Sequence, residues 1–149
     1  MNIIIRKAVK EDAPALKKLL DELMGEENRL EDIEQALDVI LPDDRYCLLA
    51  ACEENGRVVG TLMGVICQDL AFGGRPFGVV ENVVVLSDCR GQGTGKKLFE
   101  AIEDWAVKQK KCAYLILVSG AQRTQAHRFY ETIGYSREAG YRKYFVKYE

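Results

Sequence analysis

Seven residues in one turn offer the clearest chemistry in this sequence: Arg90, Gly91, Gln92, Gly93, Thr94, Gly95 and Lys96. Glycines at alternate positions let main-chain N–H groups converge without Cβ obstruction, and a helix that starts at once adds the positive end of its dipole. Such a turn suits a phosphate or pyrophosphate. Two common phosphate motifs fail on spacing. A Walker loop needs glycine where Arg90 stands and Ser or Thr where Lys97 stands, and a dinucleotide fingerprint from Gly91 and Gly93 needs glycine in place of Lys96. The plainer reading, a tight turn that holds nothing, weakens a helix start for no packing gain.

Four further side chains are chemically conspicuous. Glu81 interrupts the apolar run Val79 to Leu86, where a carboxylate is out of place unless it faces a polar cleft; the other reading is a solvent-facing edge. Asn82 points to the opposite face of a regular strand, so only one of the pair lines a cleft unless a bulge intervenes. Tyr130 carries a phenol with an ordinary pKa of ~10, protonated at neutral pH and able to act as a proton donor. Its alternative is an aromatic core residue on the helical face of Ala126 and Ile133. The single histidine, His127, is read as packed or hydrogen-bonded before it is read as catalytic.

These residues need elements to hold them. Ile3 and Ile5 alternate as a first strand, and Asp12 caps a helix with Pro14 in its first turn and Leu16, Leu19, Leu20, Leu23 and Met24 on one face. A second helix spans Leu30 to Ile40, after the acidic link Gly25, Glu26, Glu27, Asn28. Tyr46 to Glu53 and Arg57 to Gln68 form a hairpin about Asn55-Gly56, and Val79 to Leu86 follows as a strand beyond the loop Ala71 to Phe77. Then come a helix from Gly95 to Lys110, a strand Ala113 to Val118, a helix Thr124 to Ile133 stopped by Gly134, and an aromatic strand Tyr141 to Tyr148. The order β-α-α-β-β-β-α-β-α-β predicts a mixed α/β fold, a central sheet flanked by helices in one domain over 1–149.

Bulk properties narrow the class. With 149 residues and 48% hydrophobic content, the chain can bury one core. The longest apolar runs are about seven residues, far from the ~20 that span a bilayer. The apolar start is too short for a secretory signal, so a cytoplasmic protein without membrane partners is expected. Cys47, Cys52, Cys67, Cys89 and Cys112 form no CxxC pair and read as reduced core residues, with no metal site expected. A net charge of -2 without a basic stripe argues against nucleic acid as a partner. Charge is uneven: residues 1–44 hold 6 Lys+Arg against 12 Asp+Glu, net -6, and residues 123–149 hold 6 against 3, net +3.

Arg90, Gly93 and Gly95 fit the pattern Gln or Arg, two residues, Gly, one residue, Gly or Ala, with Val85 in the strand before and Lys96, Lys97, Leu98 opening the helix. Ala126 through Tyr135 fits A-x-x-F-Y-E-x-x-G-aromatic. On these two segments the sequence resembles the GNAT acyltransferase superfamily. The resemblance implies an N-acetyltransferase that uses acetyl-CoA, with the pyrophosphate on the Arg90 to Lys96 turn and the pantetheine arm along Asn82, Val83, Val84 and Val85. It also implies Phe129 beside the cofactor, Tyr130 as general acid, and Glu81 as a base, direct or through water, or as an amine-binding group. The family lays its first two helices over the acceptor side, so Glu26 and Glu27 are expected to attract a cationic small-molecule amine, with Asn82, Phe72 and Arg75 also in reach of it. Arg123 and Ser87 stand where many members have asparagine and proline.

The run Arg123 to Tyr130 is similar to bacterial small-molecule members, including aminoalkylphosphonate acetyltransferases; Glu81 with Asn82 resembles the acidic pair of amino-sugar-phosphate enzymes, and aminoglycosides are a third acceptor class of the superfamily. A protein or peptide acetyltransferase, with an open groove beside Glu81, and a CoA-binding sensor without turnover remain as alternatives. Homodimerisation through the last strand is an expectation carried by the family.

Overall fold

The computed structural model describes residues 2–146. The chain divides after Leu117 into two compact units. The first contains β1 (Ile4–Lys7), α1 (Ala13–Met24), α2 (Leu30–Ile40), β2 (Tyr46–Cys52), β3 (Val58–Cys67), β4 (Phe77–Val85), α3 (Thr94–Asp104) and β5 (Leu115–Leu117). Its sheet runs β1-β2-β3-β4-β5, antiparallel throughout except for the parallel pair β4 and β5. A parallel pair needs a crossover connection, and α3 supplies it.

The strand register sorts the helices onto two faces. A Cβ on Gly60 would touch Leu98 of α3 at 3.3 Å, and one on Gly64 would meet Ile102 at 2.6 Å and Trp105 at 3.3 Å. Alternation along β3 therefore puts Gly60, Leu62 and Gly64 under α3. Leu48, opposite Met63, faces the other way and packs with Ala13 and Leu16 of α1 and Ile33 and Leu37 of α2. Gly64 lets α3 lie close on the sheet. Gly64→Val is expected to destabilise the protein by about 2 kcal/mol through overpacking, read as a lower urea midpoint at unchanged slope.

Asp12 departs from the expected helix cap. Its carboxylate makes no cap hydrogen bond to α1. Instead Oδ2 accepts the Val9 N–H at 2.8 Å, and both oxygens accept from the Arg6 guanidinium at 2.7 and 2.8 Å. Arg6 thereby holds the Asp12 carboxyl below the usual carboxylate range despite its burial. The pair ties β1 to the turn that starts α1.

At the far end of α1, Gly25 at φ 71° donates its N–H to Asp21 O at 3.0 Å. Asp21 Oδ1 accepts the Asn28 N–H at 2.7 Å and Nδ2 at 2.9 Å, while Oδ2 takes Lys17 Nζ at 2.6 Å. Lys17 first, then Asn28, brings the Asp21 carboxyl down to about 2. The acidic link between α1 and α2 is thus a pinned bridge.

The helix expected to reach Lys110 ends as α3 at Asp104 and continues as a π-helical turn over Trp105–Gln109. The Lys110 N–H reaches back five residues to Trp105 O at 3.2 Å.

In the second unit α4 (Thr124–Thr132) is followed by Gly134 at φ 99°. The expected last strand does not form over residues 141–146, and residues 147–148 lie outside the described residues. A strand exists only beside a hydrogen-bonded neighbour. Among the described residues of this unit α4 is the sole regular element, and Tyr141 and Phe145 stand 101% and 91% exposed.

Candidate active site

The first unit's site grows from an incomplete strand pairing. β5 pairs with β4 only across Gly78, Val79 and Val80. Among the described residues β4 is paired to β3 alone from Glu81 to Val85, which leaves one edge of that half-strand without a strand neighbour there. In the same half the register with β3 slips by one residue between Thr61 and Met63, and Asn82 takes φ 56°. Asn82 and Val83 together oppose Leu62, which makes a bulge. The bulge breaks the alternation assumed for a regular strand: Glu81, opposite Met63, and Val84, opposite Thr61, now share the face toward α1 and α2. Glu81 is solvent-exposed there.

β4 leads through a short turn, Ser87–Cys89, into Arg90–Gly93 and the first turn of α3. Among the described residues the six N–H groups from Gly91 to Lys96 find no acceptor; the first bond made is from Lys97 N–H to Gly93 O at 3.1 Å. Gly91 and Gly93 hold φ 76° and 82°, and a Cβ on either would meet nothing within 4 Å, so glycine is required there by the backbone and not by crowding. Thr94 is 2% exposed, and its hydroxyl has no hydrogen-bond partner. A buried orphan hydroxyl costs roughly 1–3 kcal/mol, and free amides at a helix start favour an anion. The turn fits a pyrophosphate.

The basic side chains of the turn are unequally committed. Arg90 folds back, with Nε donating to Val85 O at 3.0 Å and Nη2 to Glu22 Oε1 at 3.2 Å. Lys97 Nζ donates to Ile3 O at 3.3 Å. Lys96 and Gln92 are exposed.

The other sequence-derived candidates are scattered around this centre. Glu26 and Glu27 lie on the α1–α2 link, with Glu27 86% exposed and 3.4 Å from Lys17 Nζ. Phe72 and Arg75 lie before β4, about 25 Å along the strand from the glycine turn, so they are not brought to it. Arg75 donates to the carbonyls of Lys111 and Cys112 at 3.2 Å each, and Phe72 sets its ring edgewise to Tyr114 at 5.6 Å. One residue escaped the sequence reading: Glu22, which accepts the Ser87 N–H at 2.9 Å as well as Arg90. A lone glutamate in a helix of balanced charge carries no signal of that role.

In the second unit, Tyr130 on α4 is 9% exposed, and burial pushes its phenol above the ordinary tyrosine value against the opposing charge of Arg123. Phe129 meets its ring edgewise at 5.6 Å. His127 is fully engaged: Nε2 is 2.8 Å from Gly120 O and Nδ1 is 2.7 Å from Arg137 Nη2. A carbonyl only accepts and a guanidinium only donates, so the ring carries its proton on Nε2. That is a hydrogen-bonding role.

Residues 13–135 match the profile of the Acetyltransferase (GNAT) family. A Bacillus subtilis protein described as the uncharacterized N-acetyltransferase YhdJ is 28% identical over 130 residues, 87% of this chain and 85% of that one. A putative acetyltransferase from Agrobacterium tumefaciens superposes with TM-score 0.84 at 27% identity, covering 95% of this chain and 99% of the other. Glucosamine-6-phosphate N-acetyltransferase from Arabidopsis thaliana superposes with TM-score 0.85 at 25% identity, covering 98% and 100%. No helix among the described residues is long and apolar enough to cross a membrane. With the family's profile covering both units and whole-chain structural similarity behind it, this chain belongs to the GNAT family of N-acetyltransferases and is an acyltransferase.

Proposed function

We propose that the protein transfers acetyl from acetyl-CoA to the primary amine of a small cationic molecule, by direct attack through a tetrahedral intermediate. The observation that carries this reading is the half-strand Glu81 to Val85, open along one edge and bulged at Asn82, which runs into six acceptor-less amides at the start of α3. The amides of Gly91 to Lys96, with the Lys96 ammonium, would hold the pyrophosphate. The amide-bearing pantetheine arm would then add to the open edge at Val83, Val84 and Val85 as a further strand does.

Acetyl-CoA supplies the activated acyl carbon; the chain supplies the rest. Glu81 holds the ammonium and takes its proton, directly or through water, so that the neutral amine forms the new C–N bond. A main-chain N–H of the bulged half-strand donates to the developing oxyanion, an interaction worth ~3 kcal/mol where the donor is fixed beforehand. As the C–S bond breaks, Tyr130 gives its phenolic proton to the departing thiolate and the second proton shed by the acylated nitrogen restores the phenol, with Phe129 beside the cofactor. Glu26 and Glu27 attract the cation, and Asn82 contacts it beside Glu81. Arg75, committed to two carbonyls, serves by holding the loop that presents Phe72 to the acceptor.

A thiol-release screen tests this with polyamines, aminoglycosides, aminoalkylphosphonates, glucosamine 6-phosphate and a peptide with a free amino group. Cationic amines are expected to lead. For the best of them, the double variant Glu26→Gln, Glu27→Gln is expected to raise KM by about fivefold at low salt and less at high salt. An unchanged KM removes the acidic link from acceptor binding, and a phosphorylated or peptide acceptor in first place replaces the substrate class.

A further inference from the structure

We propose that Glu22 is a positioning residue for the acetyl donor: its carboxylate sets the stem of the glycine turn so that the free amides of Gly91 to Lys96 converge on one pyrophosphate. The inference rests on the reading of that turn as the donor site. Glu22 Oε1 accepts two hydrogen bonds from the stem, the Ser87 N–H at 2.9 Å and Arg90 Nη2 at 3.2 Å. Arg90 Nε closes the triangle on Val85 O at 3.0 Å. Residues 85–90 are thereby fastened to α1, while from the other side Arg57 Nη2 of the β2–β3 connection holds Asp88 Oδ2 at 3.2 Å.

The contrast with the next residues points to the role. Gly91 and Gly93 have left-handed backbone and N–H groups without an acceptor, and Gly93 is tied through its carbonyl to α3, so the amide fan takes its direction from α3 on one side and from the stem on the other. An exposed ion pair alone would matter little. A carboxylate that accepts a main-chain N–H in the same grip fixes backbone, which a flexible pair of side-chain tips does not. The grip also explains the turn's charge distribution: Arg90 is neutralised by Glu22 and spent on the stem, and Lys96 is the cation left for the phosphate. Because the acidic link begins at Gly25, three residues after Glu22, donor turn and acceptor-side link hang on the same end of one helix.

Two acetyl donors separate this role from general stabilisation: acetyl-CoA, which has the pyrophosphate, and S-acetylpantetheine, which lacks it. Wild type is titrated with CoA first; absence of binding there overturns the donor-site reading itself and not the assignment of Glu22 alone. Given wild-type binding, Glu22→Ala is expected to raise the CoA Kd and the acetyl-CoA KM about tenfold, the effect of losing a hydrogen bond to a charged group. The acetyl-CoA kcat and the S-acetylpantetheine rate should stay unchanged. Glu22→Gln keeps the accepting oxygen and should bind CoA within about threefold of wild type. If Glu22→Ala leaves CoA affinity intact, or slows both donors equally, Glu22 does not position the turn.

Discussion

Tyr130→Phe is expected to lower kcat by about a hundredfold, the usual scale of a lost general acid, while the acetyl-CoA Kd and thermal stability stay near wild type. The substitution keeps the ring that packs on Phe129 and removes only the hydroxyl with its proton. An aromatic core residue would show the reverse, a normal turnover with an altered melting curve. Burial raises the phenol's pKa, so the proton is held more firmly in the folded enzyme than in free tyrosine. The sign follows: the acid form persists through neutral and mildly alkaline pH, and any loss of turnover from ionising Tyr130 begins only above the ordinary value of ~10. A thioester of a more acidic thiol needs less help in leaving, so it should recover part of the variant's rate. A variant that turns over both thioesters at wild-type rates would return Tyr130 to packing.

The residues that announce themselves do so by spacing. Leu30, Ile33, Leu37 and Ile40 with Pro42 beyond them bound α2 to the residue, because one apolar stripe and one stop signal coincide. The glycines likewise marked the turn before α3, since left-handed backbone at Gly91 and Gly93 leaves a visible residue type behind. Asn82 left a fainter mark. Its left-handed φ makes the bulge that places Glu81 and Val84 on one face, yet a run of valines around it reads as a regular strand. Asp12 stood where a cap belongs, and only its distance to Arg6 revealed the other task. Glu22 was illegible for the same reason: pairings across 65 and 68 residues of sequence carry no local periodicity. The aromatic run from Tyr141 carries strand propensity, but propensity without a neighbouring strand in its own unit produced none over 141–146.

Glu81→Gln is expected to cut kcat/KM for the amine by about thirtyfold at pH 7 and to steepen its dependence on pH. An alkyl ammonium has a pKa of ~10, so at neutral pH about one molecule in a thousand is the nucleophilic amine. With Glu81 taking the proton, wild type draws on the abundant cation and its profile stays shallow. Without that carboxylate the rate should follow the free amine, gaining about tenfold per pH unit until the ammonium pKa is reached, so that the two enzymes converge in alkali. The split between constants separates the two roles left open for this residue. Loss in kcat with KM held marks proton transfer, and a raised KM at constant kcat marks a binding site for the cation. The exposed position of Glu81, on the face of the sheet that α1 and α2 share, suits both. Parallel profiles at equal height for glutamate and glutamine would exclude both, and the carboxylate in the middle of β4 would then be an edge charge with no part in the reaction.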